Sequence, residues 1–201
     1  PLQCKRRDES AGVVFGTVDA VGVGGQRVNA RRTVERQRQA EQEFRIAPAA
    51  PLTCMTTNPS CIFCRIIAGQ AEASLVYQDA LVCAFLDAHP VAEGHVLVVP
   101  VRHASGLQDL DEDSAGRMMV VGRRVAAALR RSGVPCEGIN LLLADGAAAG
   151  QSVFHCHLHV IPRSAGDGFG FRRPLGAGRT PSRPAMDTLA GRIRDSLEGE
   201  A

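Results

Sequence analysis

The stretch VFHCHLHVIP, residues 153–162, sets histidines at 155, 157 and 159 between apolar residues. Strict alternation is the pattern of a β-strand, whose successive side chains point to opposite faces. On such a strand His155, His157 and His159 project from one face, about 6.5–7 Å apart between alternate residues. Phe154, Cys156, Leu158 and Val160 then face the other way. A strand with one apolar face and one face of imidazoles alone is not an ordinary half-buried strand, because each buried ring needs a polar partner.

The segments around it read as more sheet with helices between. Upstream, GINLLLA (138–144) is a predicted strand and DGAAAGQ (145–151) a loop. The clearest helix is DEDSAGRMMVVGRRVAAALRRSG (111–133), with Asp111 as cap, Glu112 and Asp113 in the first turn, Arg130 and Arg131 in the last and Gly133 as stop. Its inward stripe is Met118, Val121, Val125 and Leu129. HVLVVP (95–100) reads as a buried strand stopped by Pro100. SLVYQD (74–79) and LVCAFLD (81–87) form a hairpin turning at Gln78 to Ala80. NPSCIFCRIIAG (58–69) reads as a short helix capped near Asn58 and closed by Gly69, and AMDTLAGRIRDSLEG (185–199) as a weakly amphipathic terminal helix. Hairpin-like strands with helices between them predict an α+β fold on an antiparallel sheet.

The chain of 201 residues is long enough for one domain and a tail. Residues 1–54 carry nine Lys+Arg against six Asp+Glu, and the remainder 14 against 15. That near-neutral body excludes a general nucleic-acid surface, which needs clustered cations. No apolar run reaches the ~20 residues of a membrane span and no export leader is visible. Seven cysteines without a framework spacing suit a reducing compartment, so a cytoplasmic protein is expected. Residues 1–54, polar and Gly/Pro-punctuated, are expected to be a disordered extension. The first methionine is Met55, which makes it a candidate natural start, the other reading being a basic docking tail.

Three alternating histidines admit several readings: core residues, a three-histidine metal site, or a division of labour. Ligands of one zinc must converge on a point about 2 Å from each nitrogen, which is awkward for three residues of one strand. Under a division of labour, one outer imidazole is tied to structure, the middle one attacks and the third positions a reacting group. Neutral imidazole is a competent nucleophile once its other nitrogen is held by an acceptor, and phosphorus is its natural electrophile. Gly150, Gln151 and Ser152, just upstream, are candidates for cradling phosphate oxygens. Cys61 and Cys64 share a helix face one turn apart, as a redox pair or as half of a zinc site.

Taken together, GHVLVVP (94–100), GQSVFHCHLHVIPR (150–163) and CIFC (61–64) closely resemble the histidine triad (HIT) family of nucleotide hydrolases and transferases, whose signature is His-φ-His-φ-His-φ-φ with φ apolar. The resemblance runs from about Ser60 to Arg163, and DGFGFR (167–172) extends it to Arg172. It implies a HIT domain over residues 55–172, with 173–201 as an associated tail and helix. It also implies that His157 is the nucleophile, forming a nucleotidyl-histidine, that His159 binds and protonates around the phosphate, and that His95 is the family's fourth histidine. Gln151 and Ser152 match phosphate-contacting positions. Ile62, Phe63, Ile66 and Phe85 match the walls of the base pocket, plain core packing being an equal reading for them, and Asp87 matches the acid that holds the ribose. Zinc-bearing members imply a structural Zn2+ on Cys61, Cys64, His103 and His155, which would hold His157 in register.

The function so implied is hydrolysis releasing a nucleoside monophosphate, most simply AMP, from a phosphoramidate, an acyl adenylate or a dinucleoside polyphosphate. A homodimer acting on a purine nucleotide is implied with it. The alternatives are a nucleotidyltransferase, against which His159 argues because those enzymes carry glutamine there, and a nucleotide-binding adaptor. One departure keeps the adaptor open: where the family carries an amide eleven positions before the first triad histidine, this sequence has Ala144.

Overall fold

The computed structural model describes residues 58–170, Gly178 and residues 181–198. The expected N-terminal extension, residues 1–54, lies outside the described residues, as does most of 171–180. Five strands form one antiparallel sheet: β1 (Leu75–Gln78), β2 (Val82–Leu86), β3 (Val96–Pro100), β4 (Gly138–Leu143) and β5 (Leu158–Arg163), in the order β1-β2-β3-β5-β4. Three helices accompany them: α1 (Ile62–Ile67), α2 (Glu112–Leu129) and α3 (Arg183–Glu198).

Alternation divides the central strands between two cores. Val82, Ala84, Val96, Val98, Leu158 and Val160 face α2, where Met118, Val121, Val125 and Leu129 form the predicted stripe. Asp111 caps α2 by accepting the Ser114 N–H at 2.8 Å. The helix ends at Leu129, short of the predicted stop, and Arg130 to Gly133 complete a turn beyond it. The hairpin between β1 and β2 is tied by the Asp79 carboxylate, which accepts the N–H groups of Leu81 and Val82, both at 2.8 Å.

Cys83, Phe85, Leu97 and Val99 face the opposite side, against Cys61, Phe63, Cys64 and Ile67 of the α1 region. Gly69 closes α1 with positive φ: its N–H reaches Ile66 O at 3.0 Å and the Gln70 N–H reaches Arg65 O at 2.7 Å. A helix of six residues is only about 9 Å long. It therefore covers one end of this sheet face and leaves the rest open, and the open part is where the site lies.

The decisive stretch departs from its prediction at one end. Strand β5 begins at Leu158 rather than Val153. Its ladder with β3 stops at the pair Val98 and Leu158, because beyond it Pro100 has no N–H to give and its carbonyl accepts from the His155 ring. Cys156 instead donates its N–H to Ala104 O at 2.6 Å. Phe154, expected on the apolar face, is 55% exposed. α3 starts two residues earlier than predicted and leaves Leu189, Ile193 and Leu197 exposed.

Candidate active site and metal centre

Two groups of side chains meet under the open end of the sheet. The first consists of Cys61 at the N-cap of α1, Cys64 within α1, His103 from the loop after β3, and His155 just before β5; their ligand atoms all lie within 4.8 Å of one another. His155 Nδ1 is 3.4 Å from Cys61 Sγ, 3.6 Å from Cys64 Sγ and 3.3 Å from His103 Nδ1, and Cys64 Sγ is 3.3 Å from His103 Nδ1. A tetrahedron with Zn–N of about 2.05 Å and Zn–S of about 2.3 Å has N···N edges of about 3.3 Å and N···S edges of about 3.6 Å. The cluster has the dimensions of a four-coordinate zinc site. His155 Nε2 lies 2.9 Å from Pro100 O, so Nε2 carries the hydrogen and Nδ1 offers its lone pair to the cluster. Burial pushes the His155 pKa down to about 4, which keeps the ring neutral as a ligand must be.

The second group consists of His157, His159, His95 and Asp87, beside the first. His157 Nδ1 lies 2.7 Å from the His155 carbonyl, an acceptor only, so Nδ1 carries the hydrogen and Nε2 keeps its lone pair. The residue that orients the His157 ring is therefore itself a member of the Cys2His2 cluster. Phe63 packs edge-on against the His157 ring at 5.4 Å, and the His159 ring lies 4.8 Å beyond it.

Tautomers follow from a backbone donor. The Val91 N–H donates to His95 Nδ1 at 3.2 Å, so the hydrogen of His95 sits on Nε2, which donates to His159 Nδ1 at 2.9 Å. His159 is left with its hydrogen on Nε2. Burial, with His157 and His95 adjacent, lowers the His159 pKa to about 4, and burial also lowers that of His95 against the pull of Asp87. The Asp87 Oδ2 lies 3.4 Å from His95 Nδ1, while its Oδ1 accepts the His89 N–H at 2.9 Å.

A cavity of about 1080 Å³ opens over these rings. It brings together Ile62, Phe63, Ile66, Phe85, Asp87, Ser152, His95, His157 and His159 of the predicted site. Two candidates for phosphate binding stand elsewhere. Gln151 accepts the Gly146 N–H at 2.8 Å and donates to Ser105 O at 2.7 Å and Val153 O at 3.1 Å, so its amide is consumed in bracing the loop. Gly150 ends the turn Ala147–Ala149 at φ 93° and donates its N–H to Ala147 O, so it shapes the loop rather than the cavity wall. The wall also includes residues the sequence did not single out, among them His89, Leu142, Val153, Ile161 and Phe169. Ile161 was within reach, since it continues the face of His159 two residues on; Leu142 comes from β4, and Phe169 from a loop within DGFGFR, a segment the resemblance includes without giving that ring a role.

The HIT domain model matches residues 68–166. An uncharacterised HIT-like protein of Borreliella burgdorferi is 46% identical over 114 residues, covering 56% of this chain and 82% of its own length. The chain belongs to the HIT family. Among solved structures, a zinc-bound histidine triad family protein from Mycobacterium smegmatis is 39% identical, with TM-score 0.54 and coverage of 71% of this HIT protein and 98% of its own chain. A histidine triad nucleotide-binding protein from Candida albicans is 29% identical, with TM-score 0.63 and coverage of 71% and 100%. Both share the antiparallel sheet and helices of this HIT protein. Its Cys2His2 cluster, measured independently of either, has the donor set of a structural zinc site.

Proposed function

We propose that this HIT protein is a nucleotide hydrolase that releases a nucleoside monophosphate through a nucleotidyl-histidine. The observation that carries it is the hydrogen bond from His157 Nδ1 to the His155 carbonyl, which fixes one nitrogen as donor and leaves Nε2 as nucleophile beside a nucleotide-sized cavity. His157 Nε2 attacks the α-phosphorus; the P–N bond forms as the bond to the leaving group breaks, and the leaving group takes both electrons of that bond. His159, neutral in the free protein, meets the phosphate through its Nε2–H, and the arriving anionic charge favours its protonated form. In that form the His159 Nδ1–H donates to His95 Nε2, and the His95 hydrogen moves to its own Nδ1 beside Asp87 Oδ2. His159 then gives a proton to the leaving group. Water next attacks phosphorus, the P–N bond breaks, His159 takes a proton from the water, and His157 is regenerated with the monophosphate free.

In this reading the apolar pair Phe63 and Phe85 takes a purine, Asp87 the ribose and Ser152 the phosphate. Cys61, Cys64, His103 and His155 would hold zinc with no open position, so its contribution is to anchor the segment whose carbonyl orients His157. The family likeness supports a cytoplasmic homodimer. The name of the Candida albicans relative supports nucleotide binding. A second reading, an adaptor with weak catalysis, is favoured by Ala144, whose methyl group supplies no donor; losing one fully engaged donor costs ~10² to 10³ in rate.

The test is rapid quench with a radiolabelled adenosine 5′-phosphoramidate. Label trapped on the wild-type protein and absent from His157→Ala is the expected result. Binding with no label and no turnover for any leaving group would establish the adaptor instead, and transfer of the nucleotide to an added phosphate acceptor in preference to water would mark a transferase.

A further inference from the structure

The Cys2His2 cluster and the cavity each take a member from a loop, and no ladder sets those two loops against each other. His103 lies on the loop after β3 and Ser152 on the loop after β4, and in the sheet β5 stands between β3 and β4. His103 is also the member of the cluster that is not buried. Its position therefore depends on what holds its loop.

Side chains make that connection. The Gln151 amide that braces its own loop also reaches out of it: Oε1 accepts the Gly146 N–H at 2.8 Å, while Nε2 donates to Ser105 O at 2.7 Å and to Val153 O at 3.1 Å. Gln151 is 4% exposed, and its own N–H donates to Gly146 O at 3.2 Å. To turn to a phosphate, the side chain would leave three backbone groups unpaired, and an unpaired group costs more than a typical hydrogen bond returns. Asp145 makes a second tie, its Oδ1 accepting the Leu107 N–H at 2.9 Å. Gly106, between the tied residues Ser105 and Leu107, fits by size alone: its φ of −150° suits any residue, but a Cβ there would run into Asp145 Oδ1. The span from these ties back to His103 is itself held, because Ala104 is buried and accepts the Cys156 N–H at 2.6 Å. On the other side, Ser152 follows Gln151 directly and lines the cavity.

We propose that Gln151, with Asp145, is a positioning residue that clasps the His103 loop to the Ser152 loop, so that zinc held by the cluster and nucleotide held in the cavity strengthen each other's binding. The nucleotide half rests on the hydrolase reading above; the clasp does not. Linkage makes the effect reciprocal: the factor by which nucleotide raises zinc affinity is the factor by which zinc raises nucleotide affinity.

The experiment follows transfer of zinc from the zinc-loaded full chain to a chromogenic chelator in excess, with and without saturating AMP, whose binding is checked by calorimetry. Without nucleotide, Gln151→Met is expected to release zinc about tenfold faster than wild type, as when a group supporting a metal ligand is lost. A role confined to phosphate leaves that rate unchanged, so equal rates would overturn the clasp. AMP is expected to slow release about tenfold from wild type and by less than about twofold from Gln151→Met. Equal slowing in both would route the coupling through His155 alone, and a wild type that binds AMP without slower release has no coupling; either result overturns the proposal. Asp145→Ala, at an exposed position, shifts the release rate in the same direction by about threefold, the smaller effect of one exposed bond. Asp145→Asn, which keeps an acceptor for the Leu107 N–H, restores it. If Gln151→Met does not fold, this Asp145 pair decides in its place. If wild type binds no AMP, the hydrolase reading fails and the coupling with it, and release without nucleotide decides the clasp alone.

Discussion

His159 is buried as a neutral ring between His95 and His157, and that has a consequence for stability. Its pKa in the folded protein is about 4, against about 6.5 in an unfolded chain. Between those values the unfolded state binds more protons than the folded one, so stability rises with pH across this window. The contribution is complete above about pH 6.5 and lost as pH falls through about 4. His95, shifted in the same direction, adds to the effect. We expect His159→Gln to lose less stability than wild type when the pH is taken from about 7.5 to about 4.5, read as the change in urea midpoint. Equal losses in the two proteins would show that this ring does not titrate as its burial requires.

At the scale of elements, the site depends on how closely α2 lies on β5. Gly122 makes the approach possible: a Cβ built there would stand 2.9 Å from Leu158 Cδ2 and 3.7 Å from Val160 Cγ2. Leu158 sits between His157 and His159 in the chain, so pressure on it reaches both rings. Gly122→Val is expected to cost about 1–3 kcal/mol by overpacking and to lower kcat with it. Thermal melting with steady-state assay checks this, and a variant as stable and active as wild type would mean that the helix can withdraw freely. Element boundaries were legible where local chemistry sets them: the Asp111 cap and the Gly69 stop act through residues a few positions apart, while the β1–β2 turn falls at Asp79 to Leu81, one residue later than read, because Gln78 still pairs with Cys83. The start of β5 was not, because it is set by where Pro100 on another strand ends the ladder.

For the molecule as a whole, the four-residue cluster joins three segments far apart in sequence: α1, the loop after β3 and the approach to β5. An ion bound there closes those loops and stabilises the fold by its affinity for the folded state. Cys61→Ser is expected to abolish stoichiometric zinc, measured by elemental analysis, and to lower Tm by about 6–12 °C, corresponding to about 3 kcal/mol in a domain of this size. Activity should fall in the same variant, since His155 carries the carbonyl that orients His157. Full zinc content in that variant would remove Cys61 from the ligand set. No helix among the described residues is long and apolar enough to cross a membrane.

By itself the sequence determined the antiparallel α+β fold, the family, and the two residue types that meet at the site. Alternation, helical periodicity and the spacing of His and Cys are short-range patterns, and those properties follow from them. Only the tertiary structure decided which nitrogen of each histidine carries its hydrogen, that the Gln151 amide is spent inside its loop, and that Phe169 closes the cavity from beyond the triad. Each of these depends on a partner brought close by folding rather than by sequence, and a hydrogen bond or a packed ring is fixed by distances of a few ångströms in space.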